Sequence, residues 1–232
     1  MDFKSDTIVI VPTYNESKNV SNLLNIFIES DFDILIIDDN SPDGTATIVK
    51  NYLSKYTNVH LLERPSKLGL GSAYRDGFNW ALKREYKSIV EMDADFSHSF
   101  SDLNNLNIYK KDYDLVIGSR YVSGGKTEGW SKGRKLLSVT ANNIAKNLLN
   151  IKVNDMTSGF RIYSRECLKS INYENTKSNG YAFQIEMTLL VSINDRSIKE
   201  IPITFYERSL GDSKMSKAIV YEAIKFLLAN IF

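Results

Sequence analysis

Two apolar periods alternate along the first half of this chain. Short unbroken runs, Thr7 to Val11, Ile34 to Ile37, Val59 to Leu62 and Ser88 to Met92, are rich in β-branched and aliphatic residues. Runs of this length and composition read as strands buried on both faces. Between them the apolar residues recur at helical spacing. Val20, Leu23, Leu24, Phe27 and Ile28 define the buried side of a helix that Asn15 or Ser17 would cap and that runs to about Ser30. Asp43-Gly44-Thr45 opens a second helix through about Tyr56, and a third spans Gly71 to Tyr86. Pro12 is expected to stop the first strand. Strands separated by amphipathic helices predict βαβ units and a parallel sheet.

The second half is less regular. Asp114 to Gly118 reads as a strand, followed by the glycine-rich loop Ser123-Gly124-Gly125-Lys126. Leu136 to Leu149 reads as a helix, Ile162-Tyr163 and Ile198 to Phe205 as strands, and Ser216 to Phe232 as a final amphipathic helix. Its stripe, Ile219, Val220, Ala223, Phe226, Leu227 and Phe232, suits either core packing or a membrane interface, with Lys214, Lys217 and Lys225 available for anionic headgroups. There is no internal repeat or linker, so a single domain over 1–232 is expected. Its nucleotide-binding half covers about 1–118 and its acceptor-binding half about 119–215, with 216–232 as the terminal helix.

The polar residues that follow the strands carry the chemistry. Ligands bind parallel sheets outside the carboxyl ends of the strands, where strand order reverses. Those ends carry Pro12-Thr13-Tyr14-Asn15-Glu16, Asp38-Asp39-Asn40 and Glu91-Met92-Asp93-Ala94-Asp95. Asp93 and Asp95 lie two apart, so on extended backbone both leave one face. Crowded carboxylates repel unless a cation sits between them. A hard divalent cation that also carries substrate phosphates meets that need. Asp38 is expected to brace its turn, and Asp39 to accept hydrogen bonds from a base or ribose. Ser41, Asp43 and Thr45 can cap the helix that follows. Lys67-Leu68-Gly69-Leu70-Gly71-Ser72-Ala73 has phosphate-loop glycines but lacks the Gly-Lys-Ser/Thr ending, so its glycines alone specify little.

Composition narrows the class. The chain has 232 residues, 43% hydrophobic and 25% charged, with net charge +1. That is a soluble globular composition without the basic field that recruits nucleic acid. A lone Cys167 rules out an internal disulfide, fits a reducing compartment and reads as a small buried hydrophobe. Neither His60 nor His98 has a sequence context that makes it a partner for a nucleophile. The N-terminus lacks a charged head and apolar signal region. No apolar run reaches the roughly 18 residues of a spanning helix.

Further motifs complete the set: Asp93-Ala94-Asp95-Phe96-Ser97-His98, Gly118-Ser119-Arg120-Tyr121, Lys132-Gly133-Arg134-Lys135, Thr157-Ser158-Gly159-Phe160-Arg161, Gly180-Tyr181-Ala182-Phe183 and Arg208-Ser209-Leu210-Gly211-Asp212-Ser213-Lys214. In this order they resemble a nucleotide-sugar glycosyltransferase of the GT-A fold, family 2, in its dolichol-phosphate mannose synthase subgroup. The resemblance runs from about Thr7 to Lys217. Two positions depart from the family pattern. Ser99-Phe100 replaces the usual Pro-Pro, and Asp212 replaces Glu in the usual Gly-Glu-Ser-Lys. Neither removes a charge or a metal ligand.

The resemblance implies an α/β, Rossmann-like, mostly parallel twisted sheet flanked by helices, with the amphipathic helix at its end. It implies that Asp93 and Asp95, with Ser97 nearby, hold Mg²⁺ or Mn²⁺ on the donor diphosphate. Pro12, Tyr14, Glu16, Asp39 and Lys67 would surround the nucleoside. Arg208 and Lys214 would meet the diphosphate from a mobile loop, and Arg120, Arg134 and Ser138 would bind the acceptor phosphate. Asp95, Arg120 and Arg208 would carry catalysis. The implied reaction is inverting transfer of a hexose, mannose from GDP-mannose foremost, to a dolichyl or undecaprenyl monophosphate at the cytoplasmic face of a membrane. Related enzymes often continue into membrane segments or work with a membrane-anchoring subunit. A lipid phosphate is mostly ionised near neutral pH, with a second pKa of about 6, so no general base is required. Positioning and electrostatic stabilisation then suffice. The alternatives are a UDP-sugar transferase, because strand-end acids do not encode the base, and a silent nucleotide-sugar-binding subunit. The intact Asp93, Asp95, Arg120 and Arg208 argue against the latter.

Overall fold

The computed structural model describes residues 5–207, residue 222, residues 225–227 and residue 229. Four βα units open the chain: β1 (Thr7–Thr13), α1 (Ser17–Ile28), β2 (Asp33–Asp38), α2 (Thr45–Leu53), β3 (Val59–Glu63), α3 (Leu70–Leu82), β4 (Ser88–Glu91) and α4 (Phe100–Ile108). Then follow β5 (Leu115–Ser119), β6 (Lys126–Glu128), α5 (Lys132–Leu148), β7 (Arg161–Ser164), α6 (Arg165–Ser170), α7 (Gly180–Ile193), β8 (Ile198–Pro202) and β9 (Thr204–Tyr206). The main sheet has seven strands in the order β3-β2-β1-β4-β7-β5-β8. Only β7 runs against the rest, pairing antiparallel with β4 and β5. The chain winds outward from β1 to β3 and returns to β4 on the other side of β1, so strand order reverses between β1 and β4.

Both faces of the sheet are covered, and this is why its strands read as continuous apolar runs. Ile8, Ile10, Leu35, Ile37 and Ile89 face Tyr74, Phe78 and Ala81 of α3 and Phe183 and Met187 of α7. Val9, Val11, Ile34, Ile36 and Val90 face Val20, Leu23, Leu24 and Phe27 of α1, with Leu103 and Leu106 of α4. All six residues of β2 are buried.

The differences from expectation have local causes. Pro12 lies inside β1 rather than stopping it. Ile10 O accepts from Met92 N on the β4 side and Thr13 O accepts from Asp39 N on the β2 side. The nitrogen of Pro12 therefore faces β4 beyond the end of that ladder, where no N–H is needed. Neither Asn15 nor Ser17 caps α1. Asn15 is left-handed (φ 59), and the orphan N–H groups are met from the β2–α2 loop. Ser41 Oγ accepts from Asn15 N at 3.1 Å, Thr45 Oγ1 from Glu16 N at 3.0 Å and Asp43 Oδ2 from Ser17 N at 2.9 Å. The strand expected from Ile198 to Phe205 is two. β8 ends in the main sheet at Pro202, and β9 leaves it to pair with β6. Helix α4 was not expected; only Leu103 and Leu106 of it are buried, too few to mark a period. Helix α5 starts four residues before Leu136, capped by Ser131, which puts Lys132 to Lys135 in its first turn.

Of the final helix, residues 222, 225–227 and 229 are helical. Leu227 is buried and Phe226 packs against the same core as α3 and α7, so this part of the stripe faces protein.

Candidate active site

The carboxyl ends of β1, β2 and β4 open into one cleft of about 370 Å³ at the strand-order reversal. Each of the three turns there holds one residue in left-handed backbone: Asn15 (φ 59), Asn40 (φ 56) and Phe96 (φ 60). Asparagine tolerates this region and phenylalanine does not, so the Asp95-Phe96-Ser97 turn stores strain of about 1–3 kcal/mol. These sharp turns keep the acids on the sheet edge instead of passing them into the following helices.

Asp38 braces its turn as expected. Its carboxylate accepts from Thr13 Oγ1 at 3.0 Å, Ser41 N at 2.9 Å and Ser41 Oγ at 2.6 Å. Asp39 faces the cleft and lies 2.9 Å from Arg64 Nη1. Arg64 is buried; it also donates to Ser72 Oγ at 2.7 Å and sits 3.2 Å from Asp76. Burial raises the pKa of Asp39, opposed by Arg64. Sequence reasoning missed Arg64. Its signal was akin to the one that marked Asp39, a charge at the end of an apolar strand. Lys67 Nζ lies 4.2 Å over the Tyr14 ring, and Pro12 and Glu16 line the cleft beside them.

Asp93 and Asp95 line the floor of the cleft. Asp95 is only 8% exposed, and its Oδ1 accepts from Ser97 N at 3.1 Å. Ser97 itself is buried beneath the floor and does not line the cleft. Asp93 N donates to His98 Nδ1 at 3.4 Å, which leaves the ring proton of a neutral imidazole on Nε2. His98 is stacked on Phe160 at 4.6 Å, and burial drives its pKa down to about 4. This histidine shapes a loop, as expected.

Under the floor lies a buried polar layer that the sequence did not reveal. Glu91 is fully buried opposite Arg161 in the β4–β7 register, and burial raises its pKa to about 7. Arg161 is also fully buried and spends its donors on Ser158 O, Met156 O and Thr188 Oγ1, at 2.7, 3.0 and 2.9 Å. Gln184 of α7 lines the cleft close by. A side chain added at Gly159 would lie 3.9 Å from its Nε2 and 4.0 Å from Asp93 Oδ1.

The opposite wall is basic. Arg120, just past β5, is clamped by Asp155, with Nε and Nη2 at 2.7 and 2.6 Å, while Nη2 also donates to Thr157 Oγ1 at 2.8 Å. Asp155 is fully buried and held by Glu200, whose Oε1 accepts from Asp155 N at 2.9 Å. Burial opposes the charge on Arg120, but Asp155 outweighs it and the guanidinium pKa rises. Trp130 lies between the two arginines, 5.4 Å from the Arg120 guanidinium and 4.1 Å from that of Arg134. Arg134 is paired with Glu207. Ser138 lies outside the cleft lining and accepts from Tyr121 Oη at 2.7 Å. Arg208 and Lys214 lie outside the described residues.

Nine of the expected site residues thus share one cleft: Pro12, Tyr14, Glu16, Asp39, Lys67, Asp93, Asp95, Arg120 and Arg134. Such a cleft, acidic at the strand ends of a mostly parallel sheet and basic opposite, belongs to a GT-A glycosyltransferase. The same fold is seen in glucosyl-3-phosphoglycerate synthase from Mycobacterium tuberculosis, solved with Mn²⁺, uridine-diphosphate and glucosyl-3-phosphoglycerate. The match has a TM-score of 0.67 at 18% identity, over 97% of this chain and 79% of that one. The chain belongs to glycosyl transferase family 2, whose model matches residues 8–171. It is 44% identical to polyprenol monophosphomannose synthase of Mycolicibacterium smegmatis over 222 residues, covering 94% of this chain and 84% of that protein. It is 41% identical to undecaprenyl-phosphate mannosyltransferase of Micrococcus luteus over 219 residues, covering 94% and 90%. Among the described residues no helix is long and apolar enough to cross a membrane.

Proposed function

We propose that this enzyme transfers mannose from GDP-mannose to a polyprenyl monophosphate, inverting the anomeric carbon, at the cytoplasmic face of a membrane. The observation that carries the reading is the division of the cleft. Carboxylates line the floor, two arginines line the far wall, and among the described residues the one histidine of the lining, His98, is turned into the protein rather than offered as a general base. His98 is buried, with Nδ1 taken up by Asp93 N–H. An acceptor that must lose a proton would be poorly served here, whereas a phosphate oxygen is already ionised near neutral pH. Both curated relatives are named for mannose or phosphomannose and a polyprenyl carrier, which supports the same choice.

The nucleoside lies along Pro12, Tyr14, Glu16, Asp39 and Lys67, with Arg64 holding Asp39 in place. The acceptor phosphate lies against Arg120 and Arg134, and its oxygen attacks the anomeric carbon as the nucleoside diphosphate leaves. Ser138 accepts from Tyr121 Oη and does not line the cleft, so we assign it no direct contact with the phosphate. Arg208 and Lys214, outside the described residues, are assigned to the diphosphate from their sequence motif alone. Among the described residues no group of three or more His, Cys, Asp or Glu side chains suits a metal. Two hard carboxylates, Asp93 and Asp95, do fit Mg²⁺ or Mn²⁺ when the donor's phosphates complete the ligand set. Bound there, the cation would neutralise charge on the leaving diphosphate. The Mn²⁺ in the structural relative supports this reading.

Helix α5 supports a lipid acceptor. From the turn that holds Arg134 it exposes Leu136 (68%), Leu137 (54%), Ile144 (48%) and Leu148 (41%). Exposed Lys132 and Lys135 flank the start of this stripe. An apolar stripe edged by lysines suits an anionic bilayer surface.

The test is transfer from labelled GDP-mannose, UDP-glucose and UDP-galactose to undecaprenyl phosphate in detergent, with and without Mn²⁺. Mannosyl-phosphoryl product formed only from GDP-mannose and cation is expected. Preferred use of a UDP-sugar, or transfer in excess chelator, would overturn the donor or the metal assignment respectively.

A further inference from the structure

The two arginines of the basic wall are held in different ways. Arg120 and Asp155 are 5% and 0% exposed in their side chains, a pair sealed from water. Arg134 and Glu207 are 23% and 34% exposed. Glu207 is the only one of the two carboxylates that can leave into solvent, because a buried charge separated from its partner is heavily penalised and a half-exposed one is not.

Glu207 is nonetheless fixed in place. Its N donates to Glu128 O at 2.9 Å, just after the β6–β9 pairing. Its Cβ lies 2.6 Å from where a side chain on Gly129 would begin, and Gly129 has φ +83, so glycine at that position admits it. Arg134 is fixed from its own side. Its N is capped by Ser131 Oγ at 3.3 Å, and its guanidinium lies 4.1 Å over Trp130. With one face of the guanidinium on the indole, a ligand approaches by the edge. There Arg134 Nη1 donates to both Glu207 oxygens at 2.6 Å.

We propose that Glu207 is a specificity-determining residue of the acceptor site: its carboxylate occupies Nη1 of Arg134, and an acceptor phosphate that takes this donor displaces it. This rests on the reading of Arg134 as an acceptor-phosphate ligand given above. A carboxylate and a phosphate offer a guanidinium the same pair of charged oxygens. A phosphate monoester carries between one and a half and about two charges near neutral pH, against one on the carboxylate, so it wins the exchange. A neutral hydroxyl has no charge with which to compete. The resident carboxylate thereby restricts the site to anionic headgroups and weakens the binding even of those.

The test uses the whole chain, undecaprenyl phosphate in detergent as acceptor, and inorganic phosphate as a competing probe. Glu207→Gln keeps the shape and removes the charge. The acceptor KM and the inhibition constant of inorganic phosphate should both fall about two- to five-fold, the range spanned by half-exposed ion pairs. The kcat and the affinity for GDP should stay within experimental error. Glu207→Ala should act in the same direction, which separates loss of charge from any misfit of the amide. In Arg134→Ala the substitution at Glu207 should have no further effect on KM. A KM that rises in Glu207→Gln would make Glu207 an anchor of Arg134 and overturn the proposal, as would an unchanged KM. If Arg134→Ala alone leaves the acceptor KM unchanged, the acceptor-site reading itself fails, and that result is distinct from an Arg134 effect without a Glu207 effect.

Discussion

At the scale of single residues, the site depends on how each charge is held. Asp95 stands at a strand end yet is only 8% exposed, and its Oδ1 accepts from Ser97 N. Alanine there would remove a turn-forming hydrogen bond as well as the proposed metal ligand. The sharper variant is Asp95→Asn, which keeps an oxygen for Ser97 N–H and loses the charge. Its kcat should fall by at least about 10²-fold, in line with loss of a group that stabilises transition-state charge. The thermal midpoint should stay within a few degrees, and turnover near wild type would remove Asp95 from the metal site. Cys167 is the opposite case, a group with no part in the chemistry. It is fully buried, and burial pushes its thiol from the ordinary 9.0 up to about 12. Reactivity follows the thiolate, so iodoacetamide at pH 8 should label the folded protein negligibly and the denatured protein fully, as read by intact mass. The sign for stability follows from the same shift. The unfolded thiol ionises from about pH 9 and the folded one does not. Its contribution is intact below pH 9 and is lost as the pH rises toward 12. Rapid labelling of the native state would place Cys167 in contact with solvent.

At the scale of elements, glycines show where helices meet something. Gly71 in α3 packs against the segment that enters α7. An added Cβ would lie 2.5 Å from Ser178 O and 2.8 Å from the Phe183 ring. Alanine gains up to about 1 kcal/mol of helix propensity. Overpacking costs about 1–3 kcal/mol, and a backbone oxygen cannot rotate away. Gly71→Ala should therefore destabilise the protein by about 1–2 kcal/mol in urea titration. Gly133 in the first turn of α5 has nothing within 4 Å of an added Cβ. Gly133→Ala should leave stability unchanged or raise it by up to about 1 kcal/mol. Equal effects of the two would mean that α3 and α7 are not packed this closely. The pair also marks what was legible in the sequence. The helical period of α3 was plain, but its end was not. The chain leaves the helix at Leu82, and Tyr86 is pulled under the sheet, where its hydroxyl donates to Asp33 at 2.6 Å. For α5 the periodic residues began at Leu136, yet the helix begins at the Ser131 cap. A cap and one exposed turn carry no apolar period.

At the scale of the whole molecule, Arg134 of the basic wall and the exposed stripe lie on the same helix, α5. Arg134 sits one turn from Leu137, so a lipid whose phosphate reaches Arg134 has its chain beside the stripe. Leu136→Glu with Leu137→Glu should lower binding to anionic vesicles at least several-fold in co-sedimentation. GDP affinity should be unaffected, because these side chains are exposed and do not line the cleft. Undiminished vesicle binding would move the membrane contact elsewhere on the chain. By itself the sequence determined strands β1 to β4, the three helices between them and the acids at the strand ends, while α4, α6, α7 and the split of β8 from β9 went unread. What it determined is written in short-range periods and in charges that interrupt apolar runs. Tertiary structure alone decided the partners: Arg64 for Asp39, Asp155 for Arg120, Arg161 opposite Glu91 and Glu207 for Arg134. The last pair is separated by 73 positions. Such partners meet only through strand order, through register and through the departure of β9 from the main sheet. No local spacing encodes those, because burial and long-range pairing are settled by how the whole chain closes around its two apolar faces.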